Sequence, residues 1–367
     1  MTSYQGVTKQ FGVARKSRVL AMKVDPAASP MVEILAQGES GDDGAFSLQW
    51  SSWSGRTLIG SIDVSARKLA SKFRDFLAGA PDVVYVAVLN DTPEAIYSAD
   101  GITWTVSTTF SEFWIDIVFA QSQFVAVANS NNLDTIMTSP DGINWTRRNS
   151  PITRLNSIAF GNGAYVAVSN KVGASESARS TDGISWTAHS LGVLTDLQVV
   201  AYGNGLFVAV KPSSSVSLTS PDGITWTQRS LPASASWQGL TFGGGLFVLV
   251  GAFGAIYTSP DGITWTQRVV PAPTWRSVVY GNGLFVAVTN SINEDALVSS
   301  DGITWTAYHI LNDSSNWQDV GYAEGLFVAI ASDSAESIAT SPDGVNWTSR
   351  VDPSAGSGFR AVTAGLL

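Results

Sequence analysis

The stretch "SPDGITWTQR" occupies Ser220–Arg229 and returns letter for letter at Ser259–Arg268. Its kernel, Asp-Gly-x-x-Trp, recurs at Asp100–Trp104, Asp141–Trp145, Asp182–Trp186, Asp222–Trp226, Asp261–Trp265, Asp301–Trp305 and Asp343–Trp347. The tryptophans lie 41, 41, 40, 39, 40 and 42 residues apart. A fixed period of about 40 residues marks a repeat architecture, in which each copy is one supersecondary unit.

One copy shows what the unit is. "WRSVVY" (Trp275–Tyr280) reads as a strand, and Gly281–Gly283 (Gly-Asn-Gly) as a hairpin turn, because Gly and Asn accept positive φ. "LFVAV" (Leu284–Val288) is a continuous apolar run suited to a strand covered on both faces. After a variable loop come "ALVSS" (Ala296–Ser300), the Asp301-Gly302 turn and "ITWTAY" (Ile303–Tyr308). Four short antiparallel strands per 40 residues predict a propeller blade. No copy shows a 3.6-residue period, which excludes a helical solenoid; a β-sandwich is the alternative left open, although it would not repeat its turns so literally.

The inner strand recurs as "WIDIVF" (Trp114–Phe119), "LNSIAF" (Leu155–Phe160), "LQVVAY" (Leu197–Tyr202), "WQGLTF" (Trp237–Phe242), "WRSVVY", "WQDVGY" (Trp317–Tyr322) and "FRAVTA" (Phe359–Ala364). The first Asp-Gly-x-x-Trp copy has "VYVAV" (Val84–Val88) but no inner strand before it, and the chain ends on an inner strand with nothing after it. The expectation is a seven-bladed ring over residues 83–367, with 359–366 completing the first blade. Such closure removes the free sheet edges that invite aggregation.

In each turn the Asp can accept backbone N–H bonds, and the Gly permits positive φ. The Trp is expected to pack between neighbouring sheets, where a buried ring withdraws roughly 150–250 Å² from water. These turns resemble the Asp-box, Ser-x-Asp-x-Gly-x-x-Trp, of sialidase-like propellers, except that Asp and Gly are adjacent here. The resemblance covers Val83–Leu367 and implies a folding device, so all seven Asp/Trp pairs are read as structural.

Residues 1–66 hold no copy of the repeat. "SRVLAMKV" (Ser17–Val24), "MVEILAQ" (Met31–Gln37), "GAFSLQWS" (Gly44–Ser51) and "TLIGSID" (Thr57–Asp63) read as strands of a small β-sandwich, with 67–82 as linker. The order "SRVLAMKV … GDDGAFSLQW" resembles the small transthyretin- or carboxypeptidase-regulatory-like module of tailed-bacteriophage structural proteins. That resemblance implies a docking module on a virion. A small β-sandwich of some other kind is the alternative.

The fold expectation is thus all-β: a small N-terminal sandwich followed by a seven-bladed propeller closed by a C-terminal strand. Net charge is −9, and it is unevenly spread. Residues 1–82 carry about +2, from 10 Lys/Arg against 8 Asp/Glu, while 83–367 carry −11, from 11 against 22. An acidic propeller argues against binding a phosphate backbone, so no nucleic-acid partner is expected. Cys is absent, which rules out disulfides and thiolate sites. The N-terminus has no apolar stretch of signal-peptide length and no run approaches a membrane span, so neither ordinary export nor membrane insertion is expected.

Catalysis finds little support in the residues. The only histidines, His189 and His309, follow blade-end Trp-Thr pairs, so no His triad for a metal can form, and no cofactor is expected. Sialidase-like chemistry implies three inner-strand arginines. The chain offers Arg276 and Arg360, with Gln238, Gln318, Gln198, Asn156 and Ile115 at the equivalent places. The hairpin and Asp-Gly turns share one face and barely vary. The other connections converge on the opposite face and differ from blade to blade, where binding usually lives. Candidate binding residues there are Phe110, Asn131, Asn132, Phe253, Glu294, Asp295, Tyr308 and His309. The expected role is a non-enzymatic phage virion protein of the tail, fibre or host-contact apparatus. It would meet other virion proteins through its N-terminal module, present the propeller to a host glycan or protein, and be present in several copies. The alternatives are a cytoplasmic propeller scaffold or glycan-binding protein of a cell, and, further off, a glycosidase-like hydrolase.

Overall fold

The computed structural model describes residues 22–23, 33–34, 45–49, 61–65, 83–173, 175–270, 274–289, 296–311, 316–332, 337–354 and 358–367. The chain divides into two compact units, Met1–Ala80 and Pro81–Leu367. In the first, Met22–Lys23 pairs antiparallel with Glu33–Ile34, and Ala45–Gln49 with Ser61–Ser65. The rest of the expected sandwich lies outside the described residues.

The second unit is a seven-bladed β-propeller. Each blade is a four-stranded antiparallel sheet whose strands follow chain order from the axis outward, with one exception. In the first blade the last strand of the chain, Phe359–Leu366, comes first in space, followed by Val83–Leu89, Glu94–Ser98 and Thr105–Thr108. The closing strand pairs antiparallel from Phe359↔Leu89 to Leu366↔Val83. The remaining innermost strands are Trp114–Ala120, Leu155–Gly161, Val199–Gly203, Trp237–Gly243, Trp275–Gly281 and Trp317–Ala323. Each touches the next around the ring, and Phe359–Leu366 touches both Trp114–Ala120 and Trp317–Ala323.

The core lies between blades. Second strands such as Val83–Leu89 are buried along their whole length, because one face packs on the preceding blade and the other on the next. Thus Tyr85, Ala87 and Leu89 cluster with Val328 and Ile330, while Val84, Val86 and Val88 cluster with Trp114 and Phe124. A second joint sits at the far end of the inner strands. Gly161 lies under the Tyr202 ring of the next blade so closely that a Cβ there would fall 1.9 Å from it. Gly203 meets Phe242 in the same way, at 2.0 Å.

The Asp-Gly turns are tied as their sequence predicts. In all seven, the Asp Oδ1 accepts the N–H groups two and three residues on, at 2.8–2.9 Å. The Ser two residues before donates its hydroxyl to the same oxygen. Six of the tryptophans donate Nε1–H to the turn glycine's carbonyl, and Trp226 instead donates to Ser177 Oγ. As expected, all seven turn tryptophans pack into or against the clusters between blades, Trp104 and Trp265 buried and the other five half-buried. The tryptophans opening the inner strands, Trp114, Trp237, Trp275 and Trp317, join them there and are fully buried.

Candidate functional site

The inner strands build the site through one repeated irregularity. In six blades the first residue of the strand pairs normally, and the ladder then slips before the third, as between Trp275↔Thr289 and Ser277↔Val288. The second residue is therefore the extra one of a β-bulge, a device that redirects side chains next to functional sites. In the fourth blade the equivalent residues sit just before the strand, with the Gln198 N–H donating to Val210 O at 2.8 Å. The first residues, Trp or another apolar side chain, are all fully buried in the blades. The second residues, Ile115, Asn156, Gln198, Gln238, Arg276, Gln318 and Arg360, line the axial channel, a cavity of about 330 Å³. They stand at its variable-loop end, since the inner strands start there.

This ring is asymmetric. Asn156 is fully engaged: its Oδ1 accepts from Asn129 Nδ2 and Asn170 Nδ2 at 2.9 and 2.8 Å, and its Nδ2 donates to Gln198 O. Gln318 donates Nε2–H to Asn316 Oδ1 at 2.7 Å and to Ser332 Oγ at 3.2 Å, which turns its oxygen toward the two arginines. Arg276 Nη2 donates to that oxygen at 2.5 Å and Arg360 Nη1 at 3.3 Å. Arg276 Nη1 also reaches Gln238 Oε1 at 3.4 Å. Arg360 lies over the Phe113 ring, 5.3 Å from its centre. With the Asn90 amide oriented so that its nitrogen donates to Gly358 O, its oxygen accepts from Arg360 Nη2 at 3.2 Å. Burial lowers the pKa of both guanidinium groups, and for Arg276 the neighbouring Arg360 charge adds to the effect.

One residue deeper stand two carboxyls, Asp116 and Asp319. Asp116 accepts from Ile117 N at 2.8 Å and from Ile158 N of the next blade at 2.9 Å. Asp319 accepts from Ser277 Oγ of the blade before it and, at 2.8 Å, from Val362 N of the blade after it. Burial pushes Asp116 up to about 6 against these hydrogen bonds. Burial, with a contribution from the Asp116 charge, pushes Asp319 up to about 7. Both act as braces between blades.

The predicted loop residues do not gather at one point. Phe110 is half-buried: its carbonyl accepts the Trp114 indole N–H at 2.8 Å and the Arg147 guanidinium lies over its ring. Asn131 is exposed and lines a shallow depression with Asp91, Glu112, Phe113 and Arg154. Asn132 is exposed beside it and donates to Glu112 Oε1. Phe253 is 89% exposed at a loop tip, with φ of 57°. Tyr308 is not on a loop: it ends the outermost strand Thr306–Tyr308 and is half-buried, and His309 follows it, exposed. Glu294 and Asp295 lie outside the described residues. Among the described residues no group of three or more His, Cys, Asp or Glu could hold a metal ion, and no helix is long and apolar enough to cross a membrane.

Sequence reasoning compared the seven second positions only with a three-arginine pattern, and so passed over the ring they form. Reading down the third column of the aligned copies as well would have found the two aspartates.

No protein-family model matches the chain, and no curated protein matches it. Solved structures do. A virginiamycin B lyase from Staphylococcus aureus, in a catalytically inactive form with quinupristin, matches with a TM-score of 0.57 at 11% identity, over 70% of this chain and 94% of that one. A selenomethionine form of virginiamycin B lyase from the same organism gives 0.56 at 13%, over 65% and 84%. YCF48 bound to D1 peptide gives 0.52 at 16%, over 72% and 84%. At such identities the likeness extends to the propeller fold alone, a fold that these comparisons find both in lyases and in a protein bound to a peptide.

Proposed function

We propose that this chain is a recognition protein that works by binding. Its N-terminal unit anchors it to a larger assembly, and its propeller offers the variable-loop face to a partner. The observation that carries this reading is the division of the ring into two unlike faces. On one face, seven turns repeat the same Asp-centred hydrogen bonds. On the other, loops of differing sequence surround a polar channel mouth and raise apolar side chains into solvent: Leu133, Val172, Leu194, Phe253, Val269 and Val351, between 52% and 96% exposed. Exposed apolar groups around a polar centre suit a contact surface. The channel carboxyls favour binding over turnover, because their oxygens are already engaged: Asp116 accepts from Ile117 N of its own strand and from Ile158 N of the next blade, and Asp319 accepts from Ser277 Oγ and Val362 N of the blades on either side.

The resemblance of the N-terminal stretch to the phage module supports an assembly that is a tailed-phage particle, with a host-surface glycan or protein as partner. An intracellular scaffold is the alternative. The test is to display the full chain against glycan arrays and host cells and to vary each face. Leu194→Ser with Phe253→Ser should abolish binding, whereas Ile184→Ser with Ile224→Ser, on the turn face, should not. Loss of binding only in the turn-face variant reverses the assignment of faces. Turnover in a lyase or glycosidase screen replaces the recognition reading with an enzymatic one.

A further inference from the structure

Arg154 stands apart from the other arginines of the ring. The propeller has nine, all within the described residues. Eight of them hold a hydrogen bond or an ion pair through the guanidinium group. Among the described residues Arg154 holds neither. It is exposed, and its φ of 58° lies in the left-handed region, at the place before an inner strand where the first blade uses Gly358. A long side chain rarely accepts that conformation. Two backbone bonds impose it: Arg154 N–H donates to Ser130 O at 2.7 Å, and Asn170 N–H donates to Arg154 O at 3.2 Å. A strained residue fixed in this way is characteristic of ligand sites.

Arg154 borders the depression on the variable-loop face, formed by loops of the first blades, with a volume of about 400 Å³. Sites for small molecules run from roughly 300 to 1,000 Å³ and are mostly formed in advance. The walls here are tied to one another, Asp91 N–H to Glu112 O at 3.1 Å and Asn129 N–H to Phe113 O at 2.9 Å. Asp91 is a second left-handed residue, with φ of 59°. The side chains of Asp91, Ser111 and Asn131 hold no hydrogen bond or ion pair among the described residues. Asp91 acts on Arg360 only through space. Glu112 is already engaged, since its Oε1 accepts from Asn132 and lies 3.8 Å from Arg147. The groups left open are one carboxylate, one guanidinium, one amide and one hydroxyl, with their charges balanced.

That set suits an uncharged ligand whose groups both donate and accept. A sugar hydroxyl donates to a carboxylate and accepts from a guanidinium. Such bonds to charged groups are about twice as strong as neutral ones. Phe113 lends the lining an aromatic ring for the C–H side of a sugar. We infer that the depression binds an uncharged sugar, with Asp91 accepting from and Arg154 donating to neighbouring hydroxyls, and Ser111 and Asn131 completing the contacts. An amino-acid zwitterion would use the two charges and leave the amide and hydroxyl idle.

This inference rests on the variable-loop face being the recognition face, but it is read with free sugars and no host, so the two can fail separately. The full chain is titrated with the methyl glycosides of glucose, galactose, mannose and N-acetylglucosamine, and with alanine, by saturation-transfer NMR. The expected result is saturable binding of at least one glycoside and weaker binding of alanine. Arg154→Gly and Asp91→Asn should each weaken sugar binding about tenfold or more, as loss of a hydrogen bond to a charged group does. Both should keep the parent melting temperature, because Gly and Asn accept a positive φ. Arg154→Lys, which keeps the charge but loses the fork, should weaken binding by a smaller factor and serves where the Gly variant fails to fold. Ile184→Ser with Ile224→Ser, on the turn face, should leave sugar binding unchanged. Absence of binding by all four glycosides, binding of alanine as tight as that of the best glycoside, or indifference to the Arg154 and Asp91 variants overturns the proposal. So does a loss of binding that comes with a fall in melting temperature in every variant, because the residues would then act by holding the loops. Sugar binding without attachment to host cells or glycan arrays leaves this site standing and removes the recognition reading.

Discussion

Removing Phe359–Leu367 should unfold the whole ring and not one blade. The closing strand pairs residue by residue with Val83–Leu89, which without it becomes an open edge whose residues are at most 8% exposed in the intact ring. Phe359 is fully buried and Val362 is 6% exposed. Truncating a buried Phe to Ala costs about 3–5 kcal/mol, and deletion of Phe359 and Val362 together costs more. The Asp319 carboxyl also loses the Val362 N–H that it holds. Such a loss rivals the 5–15 kcal/mol total stability typical of a domain. It also propagates, because Val83–Leu89 packs on the blades to either side. Far-UV melts and native-state hydrogen exchange test this. Phe359→Ala, the milder change, should lower the midpoint by roughly 6–10 °C at about 2 °C per kcal/mol. A truncated chain that melts within about 2 °C of the parent, or that keeps full amide protection in the third to sixth blades, would refute cooperative closure.

Trp265→Ala, at a buried turn ring, should cost about 3–5 kcal/mol, whereas Phe253→Ala should cost almost nothing and Phe253→Gly should stabilise by relieving its positive φ; equal losses at 253 and 265 in thermal melts contradict the packing described. Asp319→Asn should flatten the pH dependence of stability between about pH 4 and 7. Burial raises this carboxyl to about 7 from 3.8, so the folded chain keeps a proton that the unfolded chain releases, and its contribution to stability is lost as pH rises through 7; identical pH profiles for variant and parent would show that Asp319 does not titrate in this range. Asp343 behaves oppositely. Despite the cost of partial burial, the Asn346 amide and side chain, the Val345 amide and the Ser341 hydroxyl hold it at about 2, so its contribution is present above 3.8 and lost as pH falls toward 2; Asp343→Ala should show a shallower decline in acid-melt experiments than the parent. A chain beginning at Pro81 should keep the propeller's melting transition and lose attachment to the larger assembly; retained attachment would move that role to the ring.

The repeat exposed the ring because its period is written in residues with no freedom to vary. A turn that needs positive φ takes Gly302, and an oxygen that must accept two amides takes Asp301. Closure was legible for a related reason: "FRAVTA" has the inner-strand pattern and no following partner except "VYVAV". The bulge was not legible. It adds no characteristic residue, and it can occur after Trp275 as readily as after Leu155 or Phe359. Without it, strict alternation along "WRSVVY" does not distinguish Arg276 as the side chain turned to the axis. The two aspartates were missed because "WIDIVF" and "WQDVGY" read as apolar strands interrupted by one and by two polar residues. Their meaning depends on the N–H groups of other blades, Ile158 and Val362, which are far away in the chain.

Where the ring repeats and where it varies follows from how neighbouring blades meet. At the turn end five inner strands place a glycine under the next blade's aromatic ring, as Gly161 lies under Tyr202 and Gly203 under Phe242, and a side chain there would collide. At the opposite end the bulge turns the second residue toward the channel, where its contacts with the next blade are made by side-chain ends and differ from blade to blade, as between Asn156 and Gln198 or Arg276 and Gln318. That position is therefore free to hold Ile115 in one blade, Asn156 in another and Arg276 in a third without disturbing the ladder. The third residue is freed only in part: it is Gly239 where the Ser277 backbone approaches to 2.9 Å of a would-be Cβ, and Asp116 or Asp319 where a gap between strands can be bridged by a carboxyl. Chemical identity can change only where packing is relaxed, so variation between the blades concentrates in the channel mouth and in the loops above it. Two arginines within that ring are then a choice that the packing did not impose, and replacing either with Gln, the residue already standing at three of the seven places, should leave the fold intact.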